Sequence, residues 1–222
     1  MLTQVYEVSS AAEAAAISAM GVDHVGVLVG DGRFPREQSP SSAAEIASSI
    51  RAPAKFSALF LSADMGPVAA WVRTLGPAIV HLGAAPELVT PRHVAELQSL
   101  IAGIPIMRRI PVVDARSIDI ARSYEGIADF LLLDSYRAAD AQIGALGVTH
   151  DWSISRRIVQ AVRTPVILAG GLGPDNVAEA IRLVRPAGVD SKTRTDIGDT
   201  HAKDLDKVRH FHLAAKAAAN LA

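Results

Sequence analysis

The 222-residue chain contains no cysteine. That excludes a disulfide, a thiolate metal site and a thiol nucleophile. Aromatic residues make up only 5% of the chain, so stacking platforms for single-stranded nucleic acid are scarce. The formal net charge is −1, with 22 basic against 23 acidic residues, and no basic footprint for nucleic acid exists. No run of eighteen apolar residues occurs, and the most apolar N-terminal stretch is interrupted by Glu13, Asp23 and His24. The opening MLTQVYEVSS lacks the basic-then-apolar order of a signal peptide. A soluble cytoplasmic protein with no membrane and no nucleic-acid partner is expected.

Half of the residues are hydrophobic and a fifth are charged, the balance of a folded core. One pattern recurs: a β-branched run, a polar turn, then an Ala-rich segment with helical spacing. The strand candidates cover 2–8, 23–29, 54–61, 77–82, 104–112, 128–134, 164–170 and 187–191. The helical candidates cover 10–20, 41–50, 65–75, 91–101, 115–124, 152–162, 174–184 and 204–221. Ser10 and Glu13 have the spacing of a capping box, and Gly21 follows the first helix. Pro174 stands where a first helical residue belongs. Strands alternating with helices imply right-handed βαβ units and a parallel sheet. Strands this apolar fit a single closed (β/α)8 TIM barrel over residues 1–222. A doubly wound open sheet is the alternative, but no Gly-rich dinucleotide fingerprint follows the first strand.

In such a barrel the chemistry sits on the loops after the strands, with phosphate usually held after strands seven and eight. LAGGLGPDNV and GVDSKTRTD then become neighbours. Gly170 and Gly171 let backbone approach a ligand, and the helix after Pro174 aims free N–H groups at an anion. Ser191, Lys192, Thr193 and Arg194 add hydroxyls and cations to that phosphate site. The competing reading of Lys192 and Arg194 is a pair of solvated loop charges.

Asp134 follows three leucines, so it lies at the lip of a buried strand, where barrel carboxylates tend to be catalytic. Partial burial would raise its pKa toward that of a general acid. Its bland role is to cap a turn or pair with an arginine. Of Arg108 and Arg109, alternation turns one into the barrel, where it needs an anionic partner. The seven histidines have no metal-ligand spacing, since His210 and His212 point to different helix faces.

The segments LLLDS (131–135), GVTHDWSIS (147–155), VILAGGLGPDNVAEAI (166–181), RPAGVD (185–190) and KDLDKVRHF (203–211) resemble the phosphoribosylanthranilate isomerases of tryptophan biosynthesis, in order and spacing. GVDHVGVLV (21–29) and RFPREQSP (33–40) are similar to the family's second strand and the loop after it. The resemblance implies a cofactor-independent Amadori rearrangement of a phosphoribosyl amine, with no metal. It implies Asp134 as the general acid and Arg36 as the arginine meeting the anthranilate carboxylate.

The chain also departs from that family. The family's catalytic cysteine is absent: QVYE puts Tyr6 at its position and Glu7 at the following glycine. Glu7 is then either a surrogate base or a strand-end glutamate facing solvent or an arginine. His81, in VHLG, is a second candidate base or a hydrogen-bonded barrel-lining histidine. Arg194 replaces a glycine of the family's phosphate loop. It is a guanidinium arm for phosphate, or a plug closing the site through Asp134 or Asp190. The expected function is an isomerase on a phosphorylated sugar. The alternatives are a divergent paralogue on another phosphosugar and a catalytically inactive barrel that binds a phosphometabolite. A monomer and a homodimer both remain open.

Overall fold

In the computed structural model, β1 (Leu2–Val5), β2 (His24–Leu28), β3 (Lys55–Phe60), β4 (Ile79–Leu82) and β5 (Ile106–Val112) run parallel in sequential order. β6 (Phe130–Arg137), β8 (Val166–Leu168) and β9 (Gly188–Ser191) complete the ring, in which β9 pairs with β1 and β5 with β6. The helices are α1 (Ala11–Ala19), α2 (Pro40–Ser48), α3 (Met65–Leu75), α4 (Pro91–Leu100), α5 (Arg116–Ser123), α6 (Trp152–Ala161), α7 (Val177–Val184) and α8 (Leu205–Ala219). This is a single (β/α)8 barrel, in which β8 and β9 are the seventh and eighth barrel strands. A further strand, β7 (Gln142–Ile143), pairs antiparallel with the end of β6, which no periodicity signalled. The structure describes residues 1–101, 103–137, 142–143 and 147–220. The predicted end of the last helix at Leu221 lies outside them. No helix among the described residues is long and apolar enough to cross a membrane.

Strand alternation splits the apolar residues into two cores. Val25, Val27, Phe60, Val80, Leu82, Leu131 and Leu133 pack outward against the helices. Leu28, Leu59, Ile79, Met107, Leu132 and Ile167 face inward and fill the barrel. A polar layer crosses the inner core where Gln4 aligns with His24 on β2 and with Asp190 on β9. The Gln4 amide N–H2 donates to Asp190 at 3.2 Å, and its carbonyl lies 3.1 Å from His24 Nδ1.

Element ends follow local chemistry. Ser10 caps α1 by accepting the Glu13 amide at 3.2 Å, while the Glu13 carboxylate accepts from the Ser9 amide rather than from Ser10. β1 is shorter than its apolar pattern because Glu7 adopts a left-handed φ of 56°. β8 ends early because Gly170 and Gly171 both turn left-handed. Pro174 is not the first helical residue of α7. It lies in a turn held by Asn176, whose side chain accepts from the Gly173 amide at 2.8 Å and donates to the Gly171 carbonyl at 3.0 Å.

The Tyr6 ring occupies the space that Gly26 leaves open on the next strand. A Cβ built on Gly26 would stand 2.1 Å from that ring. Gly26→Ala is therefore expected to lose about 1–3 kcal/mol through overpacking. Denaturant titration should show this, with much of the loss recovered when Tyr6→Ala is combined with it. An unchanged midpoint in the single variant would contradict the packing.

Candidate active site

The lips of β1, β4, β5, β6, β8 and β9 converge on a cavity of about 50 Å³. Tyr6, Glu7, His81, Arg109, Asp134 and Asp190 supply its polar walls, with Gly170, Gly171, Lys192, Thr193 and Arg194 on the side of the last two strands. Six carboxylate, imidazole, phenol and guanidinium groups thus share a space with little water.

Asp134 ends the inward row of β6. One carboxylate oxygen accepts the Ser135 amide at 2.8 Å and the other lies 4.0 Å from Arg109. Burial raises its pKa above the ordinary carboxylate value, against the opposing pull of Arg109. The carboxyl thus caps its own turn and meets an arginine, as the bland reading has it, and still lines the cavity. Of the two arginines of β5, Arg109 is the inward one, and it also donates to the Gly83 carbonyl. Arg108 points to the helical layer, where it donates to the carbonyls of Leu82, Ala84 and Val89 and lies over the Tyr124 ring.

Tyr6 donates to or accepts from Ser57 at 2.6 Å, and burial pushes its phenol well above the ordinary value. It is thus poorly suited to take a proton. His81 stands edge-on to Tyr6 at 4.9 Å, and neither ring nitrogen has a hydrogen-bond partner. Burial, followed by the charges of Arg109 and Arg108, holds it well below the ordinary histidine range. It is a neutral, barrel-lining imidazole, and no protein group among the described residues bonds its ring nitrogens.

Glu7 is not free at the mouth. Burial raises its pKa, but hydrogen bonds from Arg36 and the charges of Lys192 and Arg36 outweigh that and lower it overall. Arg36 grips the carboxylate with Nε at 2.6 Å and Nη2 at 3.2 Å, and the Lys192 ammonium lies 3.5 Å away.

The phosphate-loop residues divide among different tasks. Lys192 is buried and its ammonium joins Asp196 at 2.9 Å and His201 at 2.9 Å, so it is not a free loop cation. The Arg194 guanidinium meets Asp175 at 2.6 Å on the rim rather than Asp134 or Asp190, so of the two alternatives, phosphate arm or plug, the plug does not form. Ser191 donates to the Leu172 carbonyl at 2.7 Å and ties the two loops together. Thr193 and Arg194 open a 3₁₀ turn (Thr193–Thr195), whose first amides have no partner within the turn. The buried Thr193 hydroxyl has no partner among the described residues. The two glycines serve the protein's own packing. A Cβ on Gly170 would meet Ser135 at 2.4 Å, and one on Gly171 would meet the Val148 backbone at 2.5 Å.

Sequence reasoning passed over Asp190, Asp196 and Lys203 as members of the site. Lys203 is buried, with its ammonium 2.6 Å from Asp196. A signal for Asp190 was available: Asp-Ser closes β9 and also stands where the pairing of β6 with β5 ends, aspartate inward and serine outward. Ser135 donates to the Val148 carbonyl as Ser191 does to that of Leu172. Among the described residues no three His, Asp or Glu side chains are grouped to hold a metal ion.

Burial and then the charge of Asp134 push the Asp190 carboxyl up to about 8. A carboxyl raised above its ordinary 3.8 favours the protonated fold. Its contribution is complete at acid pH and is lost as pH rises through about 8. Thermal melts of wild type and Asp190→Asn should therefore diverge from pH ~4 upward, the wild type losing more. Parallel profiles would mean that Asp190 is ionised in the fold.

A family model described as N-(5'-phosphoribosyl)anthranilate isomerase matches residues 4–213. The N-(5'-phosphoribosyl)anthranilate isomerase of Methanocella arvoryzae is 37% identical over 201 residues, covering 90% of each chain. That of Paracoccus denitrificans is 34% identical over 207 residues, 92% of this chain and 91% of the relative. Among solved structures, the phosphoribosyl anthranilate isomerase of Thermus thermophilus superposes with a TM-score of 0.81 at 18% identity, over 98% of this chain and 99% of that one. A phosphoribosyl anthranilate isomerase in complex with reduced 1-(o-carboxyphenylamino)-1-deoxyribulose 5-phosphate superposes with a TM-score of 0.78 at 22% identity, over 98% and 100%.

Proposed function

The chain belongs to the N-(5'-phosphoribosyl)anthranilate isomerase family of tryptophan biosynthesis, and we propose that it performs the Amadori rearrangement with Asp134 as acid and Glu7 as base. The carrying observation is that one cavity holds carboxyls displaced in opposite directions: Asp134 and Asp190 are raised by burial, while Glu7 is lowered by its cations. Such a split assigns an acid and a base at one pH.

The chemistry then runs in balanced steps. Asp134 gives its proton to the furanose ring oxygen as the nitrogen lone pair opens the ring to a protonated imine. The Glu7 carboxylate takes the C2 proton, and the C2–H electrons form the enolamine and neutralise the nitrogen. Glu7 returns its proton to C1, and the C2 hydroxyl proton passes to Asp134, which leaves the ketose and both carboxyls restored. The substrate phosphate lies across the Gly170–Leu172 turn and the first amides of the 3₁₀ turn, within reach of Thr193 and Arg194. Arg36 meets the anthranilate carboxylate. A second reading assigns the base to His81, favoured by its two unpartnered ring nitrogens.

The purified protein is expected to consume phosphoribosylanthranilate, followed by fluorescence. Asp134→Asn and Glu7→Gln are each expected to lower kcat by about 10²–10⁴. Full turnover in Glu7→Gln with loss in His81→Gln would move the base to His81. No turnover by the wild type would overturn the isomerase.

A further inference from the structure

Glu7 stands in the walls of two cavities. It lines the central one with Asp134, and also a second of about 210 Å³ bounded by Arg36, Gln38 and His201. Arg36 reaches the second cavity only among these two. Three non-glycine residues around that cavity have left-handed backbones: Glu7 at 56°, Arg36 at 70° and His201 at 61°. A side chain disfavours such a backbone, which these residues keep only where their surroundings impose it. Here two of them bring the Arg36 fork onto the Glu7 carboxylate at 2.6 and 3.2 Å.

This grip conflicts with both roles proposed above. An arginine already bonded to a protein carboxylate must share its fork with a substrate carboxylate. A carboxylate bonded by a charged fork is a weakened base, because proton uptake must displace the cation. One exchange removes both conflicts. We propose that Arg36 is a positioning residue that latches Glu7, and that an aromatic carboxylate on the substrate opens the latch by taking the guanidinium. Glu7 is then released toward the central cavity as the base. This inference rests on the reading of Glu7 as base.

The geometry supports the exchange at three points. The two competing groups are both carboxylates, so the fork serves either with the same bidentate chemistry. Lys192, itself anchored on Asp196, stays beside Glu7 and keeps the freed carboxylate from remaining alone among apolar walls. The central cavity, at about 50 Å³, is well below the size of ordinary ligand sites. Glu7 is the polar side chain whose movement joins it to the second. Specificity for a carboxylated aryl amine would thus be enforced at the proton-transfer step as well as in binding.

The test compares N-(5-phosphoribosyl)anthranilate with N-(5-phosphoribosyl)aniline, which lacks the carboxylate, using NMR of the sugar protons. Each comparison is made between enzymes on one substrate, so the intrinsic reactivities of the two amines cancel. Arg36→Gln should raise KM for the anthranilate compound. It should also raise kcat on the aniline compound at least about tenfold over wild type, since Glu7 is no longer held. That gain should vanish in Arg36→Gln with Glu7→Gln. A merely structural role for Arg36 would lower kcat on both substrates. If Arg36→Gln leaves kcat on the aniline compound unchanged or lower while Glu7→Gln is inactive, the latch is wrong and the base stands. Wild-type kcat in Glu7→Gln would overturn base and latch together.

Discussion

Closing eight parallel strands into a ring turns every second side chain into a space where water is scarce. There each inward polar group must find a partner or change its protonation. The character of this site follows from how those partners were found. Arg109 is held by a backbone carbonyl and by Asp134, and Asp134 by its own following amide and Arg109. Asp190 lies close enough to feel the charge of Asp134 and takes the neutral form instead. His81 finds no partner and stays an uncharged imidazole. Unsatisfied and shifted groups gather at the lips because only there does the barrel interior meet a ligand.

A second electrostatic system lies across the mouth from these groups. Arg36, Glu7, Lys192, Asp196 and Lys203 form a continuous run of alternating charges joining β1 to the loops after β2 and β9. Its inner members are buried, so removal of Asp196 would strip Lys203 of its carboxylate and leave Glu7 as the counter-charge of Lys192. Glu7 belongs to both systems. Its pKa is lowered by its cations on one side, and it shares a cavity with a raised carboxyl on the other. The Glu7 carboxylate brings a negative charge between two cations and ties the start of the barrel to its end.

Much of this was legible beforehand where local chemistry decides. Asp134 after three leucines located a lip carboxyl, and the capping serine and the Gly-Gly turn marked the ends of their elements. What could not be read was the choice of partner. The Arg194 guanidinium goes to Asp175 on the neighbouring loop rather than to Asp134, because the 3₁₀ turn lifts it to the rim. The Lys192 ammonium goes inward to Asp196 although its neighbours in sequence are polar. Neither choice has a periodic signature: Arg194 and Asp175 lie on loops separated by a helix and a strand, and Lys192 and Asp196 lie four residues apart across an irregular turn.

The sequence by itself determined the alternation of strands and helices, and hence a barrel with its chemistry at one end. It also determined that no thiol could act there. These properties depend on side-chain period and composition, which are local. The tertiary structure alone decided that Glu7 is gripped by Arg36, that burial beside Asp134 raises the Asp190 carboxyl, and that the two glycines leave room for Ser135 and Val148. Each of these depends on distances between chain-remote atoms and on the water excluded between them. A carboxylate has no fixed character until the fold sets its neighbours.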